Sequence, residues 1–332
     1  MGIRVGNMTL DAPVLLAPMS GVTDLPFRRL VRSFGAGLVF SEMVASGTMV
    51  QRTHKSRLRG DLSREPRPAA LQLAGADPAV MAEAARMARD CGAALIDINF
   101  GCPAKKVVNK ACGSALMREP ALAARIVEAV VRAAEPLPVT AKMRLGWDDA
   151  HRNAPEFARL CEAAGARMLT VHARTREQRF GGCADWAAVA PVRRAVGVPV
   201  IVNGDIRSPE DMAEALALSG ADGAMVGRGA CGRPWLLRDA MRKLTGRPAV
   251  APPEGSALAA LVKGHYGAML DHYGVPAGVR IARKHLAWYA EAAGLPPDFK
   301  AAANRLTVSG AVLELIVRAF AAPAPERAAL AA

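Results

Sequence analysis

The chain has 332 residues, enough for one large domain with a smaller one attached, and its 52% hydrophobic and 22% charged residues exclude a disordered polypeptide. Its 43 Lys and Arg against 30 Asp and Glu leave a formal net charge of +13. The bland reading of so basic an isoelectric point is a GC-biased genome that prefers Arg over Lys, and the functional reading is a polyanionic partner, most simply nucleic acid.

The first apolar stretch, residues 13–19, is broken by Pro13 and Pro18 and preceded by Asp11, so it is a poor signal peptide. No apolar run reaches the roughly 18 residues that cross a bilayer, and a cytoplasmic protein with no membrane partner is expected. Short β-rich runs predict strands over residues 14–17, 38–42, 70–74, 95–99, 139–144, 168–172, 200–203 and 223–227. Between them lie amphipathic segments over 79–89, 121–134, 154–163 and 209–218. Met81, Ala84, Ala85 and Ala88 repeat at helical spacing, and Ser208-Pro209-Glu210-Asp211 reads as a helix start. Eight strands alternating with helices predict an α/β fold, a (β/α)8 TIM barrel over residues 1–244, in preference to a doubly wound open sheet. Residues 245–255 are a Pro/Gly-rich linker. Beyond it, periodicity over 257–273, 278–292, 297–307 and 309–320 predicts a small all-helical domain, residues 256–332, with a frayed tail from 323.

In such a barrel the reactive groups stand at C-terminal strand ends. Here those ends carry Pro18-Met19-Ser20, Glu42, Gln72, Asn99 with Cys102, Lys142 with Arg144, His172, Asn203-Gly204-Asp205 and Gly227-Arg228. Glycines after the last two strands let backbone N–H groups approach an anion, and Arg228 adds charge, which predicts a phosphate site. Gly227-Arg228-Gly229-Ala230-Cys231-Gly232 also matches G-x-G-x-x-G, but a helix and a linker follow it rather than a second strand, which disfavours a dinucleotide fold. Lys142 and Gln72 together suit an electron-rich planar ring, the ammonium near the N1/O2 edge of a reduced flavin and the amide at its imide edge. Lys142 alone would be an ordinary strand-end lysine.

Cys102 follows a β-branched strand, next to Pro103 and the Lys105-Lys106 pair, so it is a nucleophile, a general acid or a structural thiol, and Cys112 is its rival. The six cysteines contain no C-x-x-C pair, which excludes zinc-ribbon and thioredoxin motifs; dispersed thiols imply a reducing compartment, and no metal is expected. Cations gather at residues 52–59, at Lys105, Lys106 and Lys110, at Arg174, Arg176 and Arg179, and on one helix side at Arg280, Arg283 and Lys284. A solvated face is the bland reading; a groove for a phosphate backbone is the functional one.

The motifs Ala17-Pro18-Met19-Ser20-Gly21-Val22-Thr23-Asp24, Ser41-Glu42-Met43, Asp97-Ile98-Asn99-Phe100-Gly101-Cys102-Pro103, Lys142-Met143-Arg144, Val171-His172-Ala173-Arg174-Thr175, Asn203-Gly204-Asp205-Ile206, Gly227-Arg228 and Arg280-Ile281-Ala282-Arg283-Lys284-His285 stand in order along the chain. With them it resembles the tRNA-dihydrouridine synthases, most closely their B-type bacterial subgroup. The resemblance implies FMN held by Pro18, Met19, Ser20, Gln72, Lys142, Asn203, Gly204, Asp205, Gly227 and Arg228, with His172 lining the site. It implies that NADPH (or NADH) reduces the flavin, that hydride passes from N5 to C6 of a uracil in tRNA, and that Cys102 protonates C5. Asn99 is then expected at the base, and Lys105, Arg144, Arg174, Arg280, Arg283 and Lys284 on the tRNA. A monomer without an obligate protein partner is the simplest expectation. Cys112 and Cys183 depart from the family pattern. Two rivals are an FMN barrel of the dihydroorotate- or dihydropyrimidine-dehydrogenase kind acting on a free pyrimidine, and a non-catalytic RNA-binding barrel.

Overall fold

Chain order alternates strands with helices almost from the start, and that alternation closes a barrel. In the structure, a computed structural model that describes residues 2–321, an antiparallel hairpin comes first, β1 (Ile3–Val5) and β2 (Met8–Leu10). There follow β3 (Val14–Leu16), β4 (Leu38–Phe40), β5 (Val44–Ala45), β6 (Ala69–Ala74), β7 (Leu95–Phe100), β8 (Val139–Arg144), β9 (Leu169–His172), β10 (Val200–Asn203) and β11 (Gly223–Val226). The order β4-β3-β11-β10-β9-β8-β7-β6 is closed by β4 pairing with β6, all parallel, and β5 is a two-residue addition beside β6. The fold is therefore the expected eight-stranded TIM barrel.

Around the barrel run α1 (Leu25–Ser33), α2 (Ser46–Val50), α3 (His54–Arg59), α4 (Pro78–Asp90), α5 (Lys105–Val108), α6 (Pro120–Ala134), α7 (Ala154–Ala163), α8 (Ala190–Ala195), α9 (Pro209–Ser219) and α10 (Leu236–Leu244). The helical spacing in α4 buries Met81, Ala84, Ala85 and Ala88, and Asp77 caps the helix by accepting from the N–H groups of Ala79 and Val80. Ser208 and Asp211 form a reciprocal capping box at the start of α9. The hairpin was not foreseen. It seals the floor: Ile3, Val5 and Leu10 pack against the interior side chains Leu15, Phe40, Leu95, Ile201 and Met225.

Four more helices follow, α11 (Gly255–Tyr273), α12 (Val275–Ala292), α13 (Pro297–Arg305) and α14 (Ser309–Ala321). α12 starts earlier than expected because Pro276 occupies its first turn, where the missing N–H costs nothing. The expected tail from 323 lies outside the described residues. Val262, Tyr266, Met269, Leu286, Ile316 and Phe320 form a second core, which Trp235 of the barrel joins. The helices seat on α1, where the Phe27 ring lies 5.7 Å from His265 and 5.4 Å from His285. Among the described residues no helix is long and apolar enough to cross a membrane, and no His, Cys, Asp and Glu side chains group as metal ligands.

Candidate active site

Strand register brings the first set of polar groups together. Gln72 pairs with Asp97, Asp97 with Thr140, and Asn99 with Lys142, across β6, β7 and β8. Their side chains form a chain of hydrogen bonds with one direction. Asn99 Nδ2 donates to Gln72 Oε1 at 2.8 Å, Gln72 Nε2 donates to Asp97 Oδ2 at 2.7 Å, and Thr140 donates to Asp97 Oδ1 at 2.6 Å. At the other end Asn99 Oδ1 accepts the backbone N–H groups of Gly101 (3.1 Å) and Cys102 (2.9 Å). The turn carrying Cys102 is thus anchored into the barrel interior. Burial pushes the Asp97 carboxyl up to about 6, against the pull of Thr140, Gln72 and Lys142.

Cys102 itself is half-buried, and among the described residues no group hydrogen-bonds its sulfur. It lies within electrostatic reach of Lys142 and Arg144. Cys112 is different: its thiol donates to Lys110 O at 3.1 Å, and burial raises its pKa.

Lys142 is only 9% exposed. Its Nζ donates to Asn203 Oδ1 at 3.0 Å, and Asn203 Nδ2 in turn donates to Met225 O at 2.7 Å. Burial, helped by the Arg144 charge, brings the Lys142 ammonium down to about 8. His172 at the end of β9 is held well below the usual histidine range by burial and then by Lys142, Arg144, Arg174 and Arg228, so it stays neutral.

The loops after β10 and β11 are shaped by glycine and by an ion pair. Gly204 has φ +125° and Asp205 φ +49°. Asp205 is kept in that sparsely populated conformation by the Arg174 guanidinium and by the Ala184 N–H at 3.0 Å. Its second oxygen faces Arg228 at 3.4 Å. At Gly229 a Cβ would lie 2.3 Å from Ile206 O, so only glycine lets the two loops approach. A Cβ at Gly227 would come 3.7 Å from Met19 Sδ, which places the loop after β3 alongside. In that loop Pro18 and Met19 are half-buried and Ser20 is exposed. Phe180, exposed on the loop after β9, stands 5.6 Å from Arg144 and 5.0 Å from Arg228.

Several cations expected at the substrate hold backbone carbonyls in the structure. Arg144 donates to Gly101 O, Thr175 O and Arg179 O, each at 2.8 Å. Arg174 donates to Gly181 O (3.0 Å) and Gly182 O (2.7 Å) besides Asp205. Arg283 donates to Leu306 O at 3.2 Å, and Lys284 donates to Gly21 O across the seam between helices and barrel. Arg280, Arg283 and Lys284 lie on one side of α12 at i, i+3, i+4 spacing, but of these only Arg280 is exposed; Lys105 is exposed as well. Sequence reasoning missed Thr140 and Tyr273, whose hydroxyl donates to Asp24 Oδ2 at 3.0 Å, and gave no role to Ser41 of the Ser41-Glu42-Met43 motif, whose hydroxyl accepts from Gln72 N. Strand register could have found Thr140, directly across from Asp97; nothing local points to Tyr273.

A family model described as Dihydrouridine synthase (Dus) matches residues 15–322. The chain is 53% identical over 323 residues to a "Probable tRNA-dihydrouridine synthase" of Rhodobacter capsulatus, covering 96% of this chain and 98% of the other. It is 47% identical over 313 residues to "tRNA-dihydrouridine synthase B" of Xanthomonas campestris pv. campestris, covering 94% of each. Among solved structures, a morphinone reductase superposes with a TM-score of 0.55 at 14% identity, over 76% of this chain and 92% of that one. A histamine dehydrogenase from Rhizobium gives 0.56 at 14%, over 80% and 50%. These two speak for the barrel fold alone.

Proposed function

The chain belongs to the dihydrouridine synthase family, and on that premise we propose that it reduces a uridine of tRNA to 5,6-dihydrouridine, using FMN at the barrel mouth and NADPH, or NADH, as reductant. The observation that carries the reading is Lys142. It is a buried ammonium with one neutral partner and, among the described residues, no carboxylate within ion-pair distance. Buried charges are ordinarily paired, so this one suits an electron-rich or anionic ligand. The loops at Asn203, Gly204, Asp205, Gly227 and Arg228 offer backbone N–H groups and a guanidinium to a phosphate. A phosphorylated planar ring matches both features, with Gln72 and Lys142 at the ring, His172 beside it and Pro18, Met19 and Ser20 closing one side. When bound, the flavin supplies the hydride, taken from the nicotinamide and given to uracil C6.

Cys102 holds the proton for C5. No base activates its sulfur, which fits a proton donor better than a nucleophile. Asn99 sets the turn that carries it and keeps one N–H for the base. Lys105 and Arg280 stand free for the tRNA backbone, Arg144, Arg174 and Lys284 shape the loops around the base, and Arg283 ties α12 to the turn after α13. A uridine must leave its stack to reach the mouth, so the positively charged helical region, residues 256–332, is assigned to the tRNA. The reading requires one chain, a monomer without a protein partner, working in the cytoplasm.

The test uses purified enzyme, NADPH and tRNA from a strain lacking the gene, with dihydrouridine mapped by mass spectrometry. Cys102→Ala is expected to retain FMN and lose dihydrouridine formation. Wild-type rates from that variant would remove Cys102 as the acid. A flavoprotein that reduces a free pyrimidine and leaves tRNA untouched would replace the reading by the dehydrogenase-like one.

A further inference from the structure

Resting on the tRNA reading, we propose that Trp147, Arg118 and Arg176 form a phosphodiester site on the Cys102 side of the mouth, which takes the RNA strand next to the reacting uridine. Three loops meet there. Arg118 ends a short helical turn (Gly113–Arg118) whose Ser114 donates to Cys102 O from its hydroxyl (3.0 Å) and its N–H (3.2 Å). Trp147 lies three residues past Arg144, which itself donates to Gly101 O. Arg176 belongs to the loop after β9, where its N–H donates to Gly146 O and the Glu177 N–H to Trp147 O, each at 2.9 Å. The stack is therefore fastened to the turn that bears the thiol.

Both guanidinium groups lie over the Trp147 ring, Arg118 at 4.8 Å and Arg176 at 4.2 Å from its centroid. The ring's negative face attracts each of the two cations and keeps it beside Trp147. Neither charge is neutralised: among the described residues neither arginine has an ion pair or a side-chain hydrogen bond, and Arg176 Nε is buried without a partner. Among the described residues the Trp147 indole N–H has no hydrogen-bond partner either. The nearby carboxylates are engaged elsewhere, Asp148 with His151 at 2.7 Å and Asp149 with Arg152 at 2.6 Å. Glu119 and Glu177 pair with neither arginine. The terminal N–H donors of each planar guanidinium, pre-positioned and unused, suit the oxygens of a phosphate. Phosphate reaches this mouth from two sources, the RNA strand and the nicotinamide dinucleotide. The attachment to the Cys102 turn, where the base must enter, favours RNA.

The test is an Arg118→Gln, Arg176→Gln double variant of the FMN-loaded protein, titrated with unmodified tRNA from about 50 to about 200 mM salt. Affinity at low salt is expected to fall about tenfold, and the slope of log K against log salt to shrink by about 1.5, with FMN content and the KM for NADPH unchanged. Trp147→Phe keeps a stacking ring and is expected to remove a tRNA-induced quench of tryptophan fluorescence. An unchanged salt slope overturns the site. Intact tRNA binding with a raised KM for NADPH assigns it to the dinucleotide and overturns it equally. Wild-type enzyme that forms no dihydrouridine would instead overturn the premise, whatever the slope.

Discussion

Asn99→Asp tests whether the buried hydrogen bonds around Cys102 have a direction. Asn99 Oδ1 cannot turn away, because it accepts the N–H groups of residues 101 and 102. The substitution then sets a carboxylate oxygen against Gln72 Oε1 in place of the donor at 2.8 Å. If Gln72 flips to repair that contact, its oxygen faces Asp97 Oδ2, where 2.7 Å now separates donor from acceptor. One acceptor–acceptor contact survives either way unless Asp97 takes a proton. A buried unsatisfied polar contact costs about 1–3 kcal/mol, so about 2 kcal/mol is expected at pH 8. Wild-type Asp97 already titrates near 6 rather than 3.8, because burial disfavours its ionised form. For an acid whose pKa is raised by folding, stability is present below the unfolded value and is lost as pH rises through the folded one. Protonation repairs the variant chain by supplying the missing donor, so the variant's Asp97 pKa rises further and its deficit shrinks from pH 8 to pH 5. Urea unfolding of the flavin-free protein at the two pH values measures this. A variant as stable as wild type at pH 8, or a deficit unchanged at pH 5, would refute the directed chain.

Lys142→Met is expected to weaken FMN binding by roughly 10–100-fold, the worth of one charge-assisted hydrogen bond, while leaving the apo-protein no less stable, since an unpaired buried charge is removed. In wild type, FMN affinity measured by fluorescence titration should fall as pH rises through about 8, where the Lys142 ammonium is lost, and the variant should lack that dependence. Arg28→Met leaves Glu65 buried alone, its partner at 2.6 Å removed, and should destabilise by about 3–5 kcal/mol in chemical denaturation; a loss under about 1 kcal/mol would contradict it. Lys284→Met frees the Gly21 carbonyl and should weaken FMN binding about tenfold, with Lys284→Arg restoring it.

The barrel was legible because its strands are buried on both sides and read as apolar β-rich runs, each stopped by a turn residue. The eight expected strands match the eight in the barrel to within a residue or two at most ends, and the caps at Asp77 and Ser208 mark their helices in the residues themselves. The hairpin at residues 3–10 was not legible. Its strands have three residues each, too few for a period, and Val5 and Leu10 are buried by the barrel floor rather than by each other. Local pattern carries no record of a partner supplied by a distant strand. The same limit hid Tyr273, which reaches Asp24 across 249 positions of sequence.

The site divides on a similar line. Identity and strand-end position located Gln72, Asn99, Cys102, Lys142, His172 and the two glycine loops, because a closed parallel barrel directs all strand ends to one face. What those features could not tell was which charges are already in use. Arg144 and Arg174 look in sequence like the rest of the basic rim, yet they are 2% and 1% exposed and hold carbonyl groups of neighbouring loops. A planar guanidinium can bind several carbonyls at once, so arginine at a loop base ties loops together as readily as it meets a phosphate. Net charge therefore overstates the surface offered to a polyanion. Among the described residues, the cations whose side chains hold no carbonyl or carboxylate include Lys105, Arg280, and the Arg118 and Arg176 pair over Trp147. A salt-slope scan over single substitutions should separate the two kinds. Arg280→Gln should lower the slope by about 1 with the flavin site intact, whereas Arg174→Gln should disturb FMN binding first, because it releases Asp205 and the loop beside it. Equal slopes and equal flavin effects for the two variants would mean that the buried arginines bind RNA after all.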